Sequence, residues 1–352
     1  MALSLLLRAC SYLYWIGVLI FVILLSVVTY YPSALPRSLV EIVQGLGSFG
    51  KLTPTAPRSS IAISFLLSYR IPKSWFTYFY LTGSIWHIIL SIFIWVSSPT
   101  SSALLLVLLL FTVHCTRRLH ESRYVSVYHP TSTMNSITFI ISIFYYIMIG
   151  FTIIFSVPFE RRTSIFDGFF AIVFLFINYL QHHHCVLMAN LRSGTNVHKS
   201  SGYNIPDGSL FELVSCPHYL LEILLYISLN IIVGPAPQFI LCSLSVTSNQ
   251  ILLGHMVHRW VKATSVPFVG IRFEKSFLYI SISTICPIIH PNAAPLSHMF
   301  CKTSSQHRVF SHCLCLRLPF IVQSQCSITL VYLCTKTFGV SPEPRPPVFS
   351  EC

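Results

Sequence analysis

The chain has 352 residues, of which 54% are hydrophobic and only 9% charged. Soluble domains average roughly 25% charged residues, so most of this chain is excluded from facing water, and several apolar runs reach the roughly 20 residues that cross a bilayer's hydrocarbon core. The net charge of +12 does not point to nucleic acid, because the basic residues are scattered at the ends of apolar runs and form no block or stripe.

The first apolar run, Ser11 to Tyr31, is too long for the core of a cleaved signal peptide and reads as a retained first span. Segment 32–73 is punctuated by Pro32, Pro36, Gly45, Gly47, Gly50, Pro54 and Pro57. It reads as a connection outside the bilayer, with a short interfacial helix expected over Ser38–Leu46. Further spans are expected over 74–98, 103–116, 134–157, 166–187, 217–234 and 237–259. The third and sixth spans are short, so the expected fold class is an all-α integral membrane protein with six or seven transmembrane helices. The organisation is a first span (1–31), a cytosolic connection (32–73), a membrane core (74–260) and an irregular, poorly ordered C-terminal tail (261–352) rich in Cys, Ser and Pro. Cys10, Cys115, Cys185, Cys216 and Cys242 lie within or beside apolar spans and read as small hydrophobes, not as a disulfide framework.

Positive charge orients such a protein. With a lumenal N-terminus the cytosolic side receives Arg37, Lys51, Arg58, Arg70, Lys73, Arg117, Arg118, Arg123, Arg192, Lys199, Arg259 and Lys262, against Arg8, Arg161 and Arg162 on the lumenal side. This orientation also puts the polar loop 192–216 in the cytosol, where soluble nucleotides are found.

An ionisable group inside a span is a functional-site hypothesis by default. In the sixth span His218 and Glu222 stand four residues apart, on one helical face, with Tyr219 and Tyr226 close to that stripe. Pro217 suits the first helical turn and Ser215 is a candidate N-cap. The competing reading is a His–Glu pair that only locks two helices together.

Three cationic groups end different spans: His114, Arg117 and Arg118; His182, His183 and His184 with Arg192; and His255, His258 and Arg259. Each alone reads as interfacial anchoring, whereas together they point to a pocket for a polyanion, whose phosphates suit the arginine fork. A metal is not expected. Consecutive histidines on a helix point about 100° apart, and the tail's His and Cys residues match no zinc spacing. No G-x-G-x-x-G follows a strand, so a Rossmann nucleotide site is excluded.

These residues also carry a family resemblance. Arg117-Arg118-Leu119-His120-Glu121 with Val125-Ser126-Val127-Tyr128, Gln181 to Cys185 with Asn190-Leu191-Arg192, and Ile71-Pro72-Lys73 with Trp75-Phe76 resemble segments of the steroid 5α-reductase family, on its polyprenol-reductase branch. The most specific stretch runs from Ile205-Pro206 through Phe211-Glu212 and Ser215-Cys216-Pro217-His218-Tyr219-Leu220 to Glu222, and Asn249-Gln250 to His258-Arg259-Trp260 matches a last block. The resemblance covers about residues 40–260. It implies a helical endoplasmic-reticulum membrane enzyme that uses NADPH to reduce the α-isoprene double bond of a long-chain polyprenoid, giving the dolichol series used in protein N-glycosylation. It implies a cytosolic cofactor site at Arg118, Arg192, Tyr203, His218 and Glu222, with Arg259 near it, and a functional role for His258. Cys115 stands where steroid-reducing members carry Tyr, and their Gln-Glu pair has no counterpart. After Trp260 the family pattern is lost in Val261-Lys262-Ala263-Thr264.

Hydride addition to the alkene of an allylic alcohol lacks an electron sink, whereas an α,β-unsaturated aldehyde provides one at oxygen. The expected chemistry is therefore conjugate reduction, with His258, Tyr80 and His218 as candidate donors to that oxygen. Trp75, Tyr78, Tyr80 and Trp86 are candidates to line a groove for the isoprenoid tail or to form an interfacial belt. The alternatives are a steroid-type reductase, a lipid-directed membrane methyltransferase binding S-adenosylmethionine, and an inactive form lacking the segment after Trp260.

Overall fold

The computed structural model describes residues 2–47, 65, 67–98, 100–130, 132–193, 206 and 208–265. Tyr203 and the tail beyond Ser265 lie outside the described residues.

Helix α1 (Ala2–Tyr30) is apolar almost all round and ends just before Pro32, whose ring cannot continue a helical hydrogen-bond ladder. It starts nine residues before the expected boundary at Ser11. The amphipathic α2 (Arg37–Gly47) covers the short helix expected over Ser38–Leu46 and buries Val43 in a cluster with Val22, Leu25, Val28, Leu252 and Met256. A short antiparallel ladder follows: β1 (Arg70–Pro72) pairs with β2 (Thr133–Asn135), Ile71 opposite Met134. It ties together the starts of α3 (Phe76–Ser97) and α5 (Ser136–Ser156). Asn135 caps α5, its Oδ1 accepting from the Ile137 amide at 2.9 Å.

Helix α4 (Ser102–His120) runs on through a π-type turn, Glu121–Val125. The expected span over 103–116 was short because charged residues follow it, but the helix continues because those charges pair with one another. A π turn inside a helix is often found at functional sites, and this one turns Glu121 and Ser122 inward. Helices α6 (Ile165–Ser193), α7 (Pro217–Val233) and α8 (Pro237–Ser265) complete the bundle. Among the described residues, α1, α3, α4, α5, α6 and α8 are long and apolar enough to cross a membrane, and α7 is a shorter apolar helix. The chain is thus an all-helical, multi-span membrane protein.

Helix α4 packs against α3, α5, α6 and α7 and carries Leu104, Val107, Leu108 and Phe111 into the core with Ile94, Ile149, Ile153, Phe174, Leu225 and Leu229. On α3, Ile85, Ile88, Ile89, Ile92 and Phe93 face outward, a surface suited to lipid, not water. Helices α3 and α5 approach closely through a reciprocal pair of glycines. A Cβ on Gly83 would sit 2.6 Å from the Tyr146 ring, and one on Gly150 would sit 2.5 Å from Trp86 Nε1. Small residues allow such packing where no hydrophobic effect drives helices together.

At one end of α7, Arg161 donates to the Ile232 carbonyl and, at 3.2 Å, to that of Val233, and it pairs with Asp167 at 2.7 Å. The last carbonyls of a helix have no partner within it, so this arginine closes α7 at the end away from His218 and Glu222.

Candidate active site

The cluster begins on α4. Arg117 and Arg118 stand four and three residues before Glu121, so each can reach that carboxylate across one helical turn. Arg117 Nη1 donates to Glu121 Oε1 at 2.5 Å, and Arg118 Nη1 donates to Glu121 Oε2 at 2.6 Å. From α6, His182 Nδ1 lies 3.0 Å from Glu121 Oε1. The Glu121 side chain is 1% exposed, and a carboxylate so placed is stable only because two guanidinium groups meet it.

Arg117 spends four of its five N–H donors. Its Nε donates to Asn178 Oδ1 at 2.9 Å, and Nη2 reaches both Gln181 Oε1 and, at 3.2 Å, His114 Nδ1. Gln181 then extends the network to α7, its Nε2 donating to Glu222 Oε2 at 2.7 Å and to the His218 carbonyl at 2.9 Å. His114 completes the circuit, with Nε2 3.5 Å from Glu222 Oε1 and Nδ1 3.2 Å from Asn178 Oδ1. The network therefore runs Glu121–Arg117–Gln181–Glu222–His114 across α4, α6 and α7.

Arg118 differs from its neighbour. Its Nη1 serves Glu121 and contacts Cys185 Sγ at 3.6 Å, and its Nη2 donates to the Tyr80 hydroxyl of α3 at 2.9 Å. A guanidinium has five N–H donors, so among the described residues two remain beyond these contacts. The Arg118 side chain is 26% exposed against 12% for Arg117. Arg117 is a structural tie, and Arg118 is the arginine whose fork can still receive a ligand.

Of the site residues read from the sequence, Tyr80, Arg118, His218 and Glu222 are gathered at this end of the bundle. The third cationic group meets different neighbours. Tyr30 OH contacts His255 Nδ1, Arg259 lies 5.8 Å over the Tyr30 ring, and His258 Nδ1 is 2.7 Å from Ser215 Oγ. Ser215 is thus not the N-cap of α7. Cys216 holds that position without a side-chain cap bond, because the Ser215 hydroxyl is turned to His258. Arg192 is exposed on the last turn of α6. Tyr203 falls outside the described residues.

The three consecutive histidines diverge, as 100° steps require. His182 meets Glu121, His183 is exposed, and His184 accepts the Leu210 amide on Nε2 at 3.3 Å. Among the aromatics considered for a lipid groove, Trp75 and Tyr78 are exposed, in keeping with an interfacial belt, whereas Tyr80 points inward. In the sequence Glu121 and Gln181 stand out only as members of the family-like motifs, and Asn178 not at all. The spacing Arg117-x-x-x-Glu121 was the available signal, since an acid one turn beyond an arginine pair is a helical ion-pair pattern.

The sequence profile of the 3-oxo-5-alpha-steroid 4-dehydrogenase family matches residues 132–268. The polyprenal reductase of Danio rerio is 27% identical over 266 residues, covering 65% of this chain and 84% of that protein. Over residues 132–268 the chain is similar to the steroid 5α-reductase family. The polyprenal reductase of Caenorhabditis elegans is 28% identical over 267 residues (64% of this chain, 83% of that protein). The Homo sapiens polyprenal reductase is 26% identical over 288 residues (70% and 87%). The profile match takes in α5 to α8 and so includes Gln181, His218 and Glu222.

Proposed function

We propose that the chain reduces the α-isoprene double bond of a polyprenoid with NADPH, in the endoplasmic-reticulum membrane, N-terminus lumenal and cofactor site cytosolic. Residues 74–260 form the reductase core, and the product is of the dolichol type used in protein N-glycosylation. The profile match over residues 132–268 and the similar proteins named polyprenal reductase support this reading. The observation that carries it is Arg118, a guanidinium with donors to spare, set between the Tyr80 hydroxyl and the Glu121 carboxylate.

The residues present suit a nicotinamide dinucleotide. A carboxylate offers about four lone-pair sites, and Glu222 spends its contacts on Gln181 and His114, leaving acceptor capacity for a carboxamide N–H. The unspent donors of Arg118 suit a phosphate or a carboxamide oxygen. Arg192, Tyr203, His218 and Arg259 are proposed as its further contacts.

A reduced nicotinamide, when bound, supplies the hydride. The chain's own residues hold the enal so that negative charge collects on its oxygen as hydride enters the β-carbon. Tyr80 then delivers a proton to the α-carbon. Its oxygen already accepts an N–H from Arg118 at 2.9 Å, so the charge left behind meets a guanidinium, and water from the cytosolic side restores the proton. His218 and His258, with Tyr80, are the residues expected from the sequence as donors to the enal oxygen. His258 faces Ser215 in the segment before α7, which favours a role in holding that segment.

The test is the purified chain in proteoliposomes with NADPH and, separately, polyprenal, polyprenol or a 3-oxo-4-ene steroid. Oxidation of NADPH with the aldehyde is expected. Turnover of the alcohol with the aldehyde inert contradicts the conjugate scheme, and steroid turnover alone moves the chain to the steroid branch. Retention of S-adenosylmethionine in place of NADPH would favour the methyltransferase.

A further inference from the structure

Deeper in the bundle, Tyr226 of α7 and Tyr145 of α5 bring their hydroxyls into direct contact. Tyr226 is 1% exposed and stands one helical turn beyond Glu222, on the same face of α7. The surrounding rings are fixed. Trp15 of α1 meets the Tyr145 ring edge-on at 5.5 Å, and its own Nε1 donates to Thr152 Oγ1 at 2.8 Å. On the other side Tyr145 contacts Tyr146 at 5.0 Å, and Tyr146 contacts Tyr80 at 5.7 Å. An aromatic wall thus joins the hydroxyl pair to the phenol that Arg118 holds.

Hydrogen accounting singles the pair out. Two phenols carry two protons, and a contact between their oxygens uses one. Among the described residues neither hydroxyl has a second partner, so one O–H donor is unspent in an apolar interior. An unsatisfied buried polar group costs on the order of 1–3 kcal/mol. The phenol that spends its proton on its neighbour leaves that neighbour's proton polarised and aimed by rigid rings, which is the arrangement of a preorganised donor for developing negative charge.

Resting on the reading above, we propose that the Tyr145–Tyr226 pair binds the terminal oxygen of the isoprenoid substrate, taking an α,β-unsaturated aldehyde carbonyl as its acceptor. The carbonyl offers two lone pairs and no donor, so it complements a spare O–H. An alcohol brings a second donor into a place that already has one too many. The pair therefore selects aldehyde over alcohol and stabilises charge on that oxygen during hydride addition. Tyr80 remains the source of the α-carbon proton.

The double variant Tyr145→Phe/Tyr226→Phe tests this cleanly, because replacing both partners of a buried hydrogen bond by apolar groups of the same shape is nearly neutral for folding. Two readouts are taken on the full chain in proteoliposomes. The first is the infrared carbonyl stretch of bound geranial, a short isoprenoid enal, labelled with a heavy carbon at the aldehyde. It is expected at lower frequency in the wild type than in the double variant. The second is kcat with polyprenal and NADPH, expected to fall about 10²- to 10³-fold in the double variant with NADPH affinity unchanged. Equal carbonyl frequencies, absence of saturable geranial binding by the wild type, or a double variant with wild-type kcat overturns the proposal. A frequency shift in a wild type that turns over no enal would leave the aldehyde site standing and sink the proposed reaction instead.

Discussion

Glu121→Ala is the sharpest perturbation of the buried network. The substitution removes the acceptor of two guanidinium groups at 2.5 Å and 2.6 Å and of His182 at 3.0 Å. Deleting one partner of a buried ion pair costs about 3–5 kcal/mol, chiefly because the remaining charge is stranded. Arg118 is a quarter exposed and can turn towards solvent, whereas Arg117 is pinned by Asn178 and Gln181, so the lower end, about 3 kcal/mol, is expected. For a helical region of this size, at about 2 °C or less per kcal/mol, that corresponds to a fall in Tm of roughly 4–6 °C. The assay is thermal unfolding in detergent followed by tryptophan fluorescence, for which the fully buried Trp15 is a reporter. Glu121→Gln, which keeps one acceptor oxygen, is expected to lie between the wild type and the alanine variant. A Glu121→Ala protein that melts within about 2 °C of the wild type would refute the claim that this carboxylate holds α4 and α6 together.

Arg118→Ala is expected to weaken NADPH about 10- to 100-fold, the loss of a hydrogen bond from a charged donor, as read by fluorescence titration. Arg117→Ala should register mainly as lost thermal stability. Gly150→Ala puts a methyl group 2.5 Å from Trp86 Nε1, and overpacking of this kind costs about 1–3 kcal/mol, measured as a lower Tm in the same assay. Arg161→Ala strips two carbonyls of α7 of their donor and leaves Asp167 buried without its arginine. It should lower the Tm by several degrees, with NADPH affinity unaltered because the 17 residues of α7 set it about 25 Å from the site end. Ser215→Ala releases His258 from its 2.7 Å partner and is expected to loosen the segment before α7, raising protease cleavage there while leaving the Tm of the bundle near wild type.

The helices were legible because a bilayer imposes one demand that sequence displays directly: about 20 consecutive apolar residues with backbone bonds satisfied internally. Expected and observed spans differ by a residue or two at most ends, as in 134–157 against Ser136–Ser156. The exceptions are informative. Helix α4 outran its expected end because Arg117, Arg118 and Glu121 cancel one another, and hydropathy scores charges singly. Helix α6 runs to Ser193, six residues past its expected end at 187, and His182 and His184 on its last turns both find partners.

The site was half legible. His218 and Glu222 announced themselves as ionisable groups where such groups are expensive, and their motif carried the family. Ser215 was assigned a capping role from position alone, which its bond to His258 overturns. Arg117 and Arg118 read alike in one dimension, yet packing makes the first a brace and leaves the second with open donors. The meeting of Tyr145 with Tyr226 spans 81 positions, and no local period or motif encodes it. Composition and periodicity specified a membrane-embedded helical chain, because solvent and helix geometry act on neighbours in sequence, and the reductase reading came from the resemblance of its motifs. Which polar groups cancel and which stay available was decided by contacts between helices, because a hydrogen bond depends on where two distant segments come within about 3 Å.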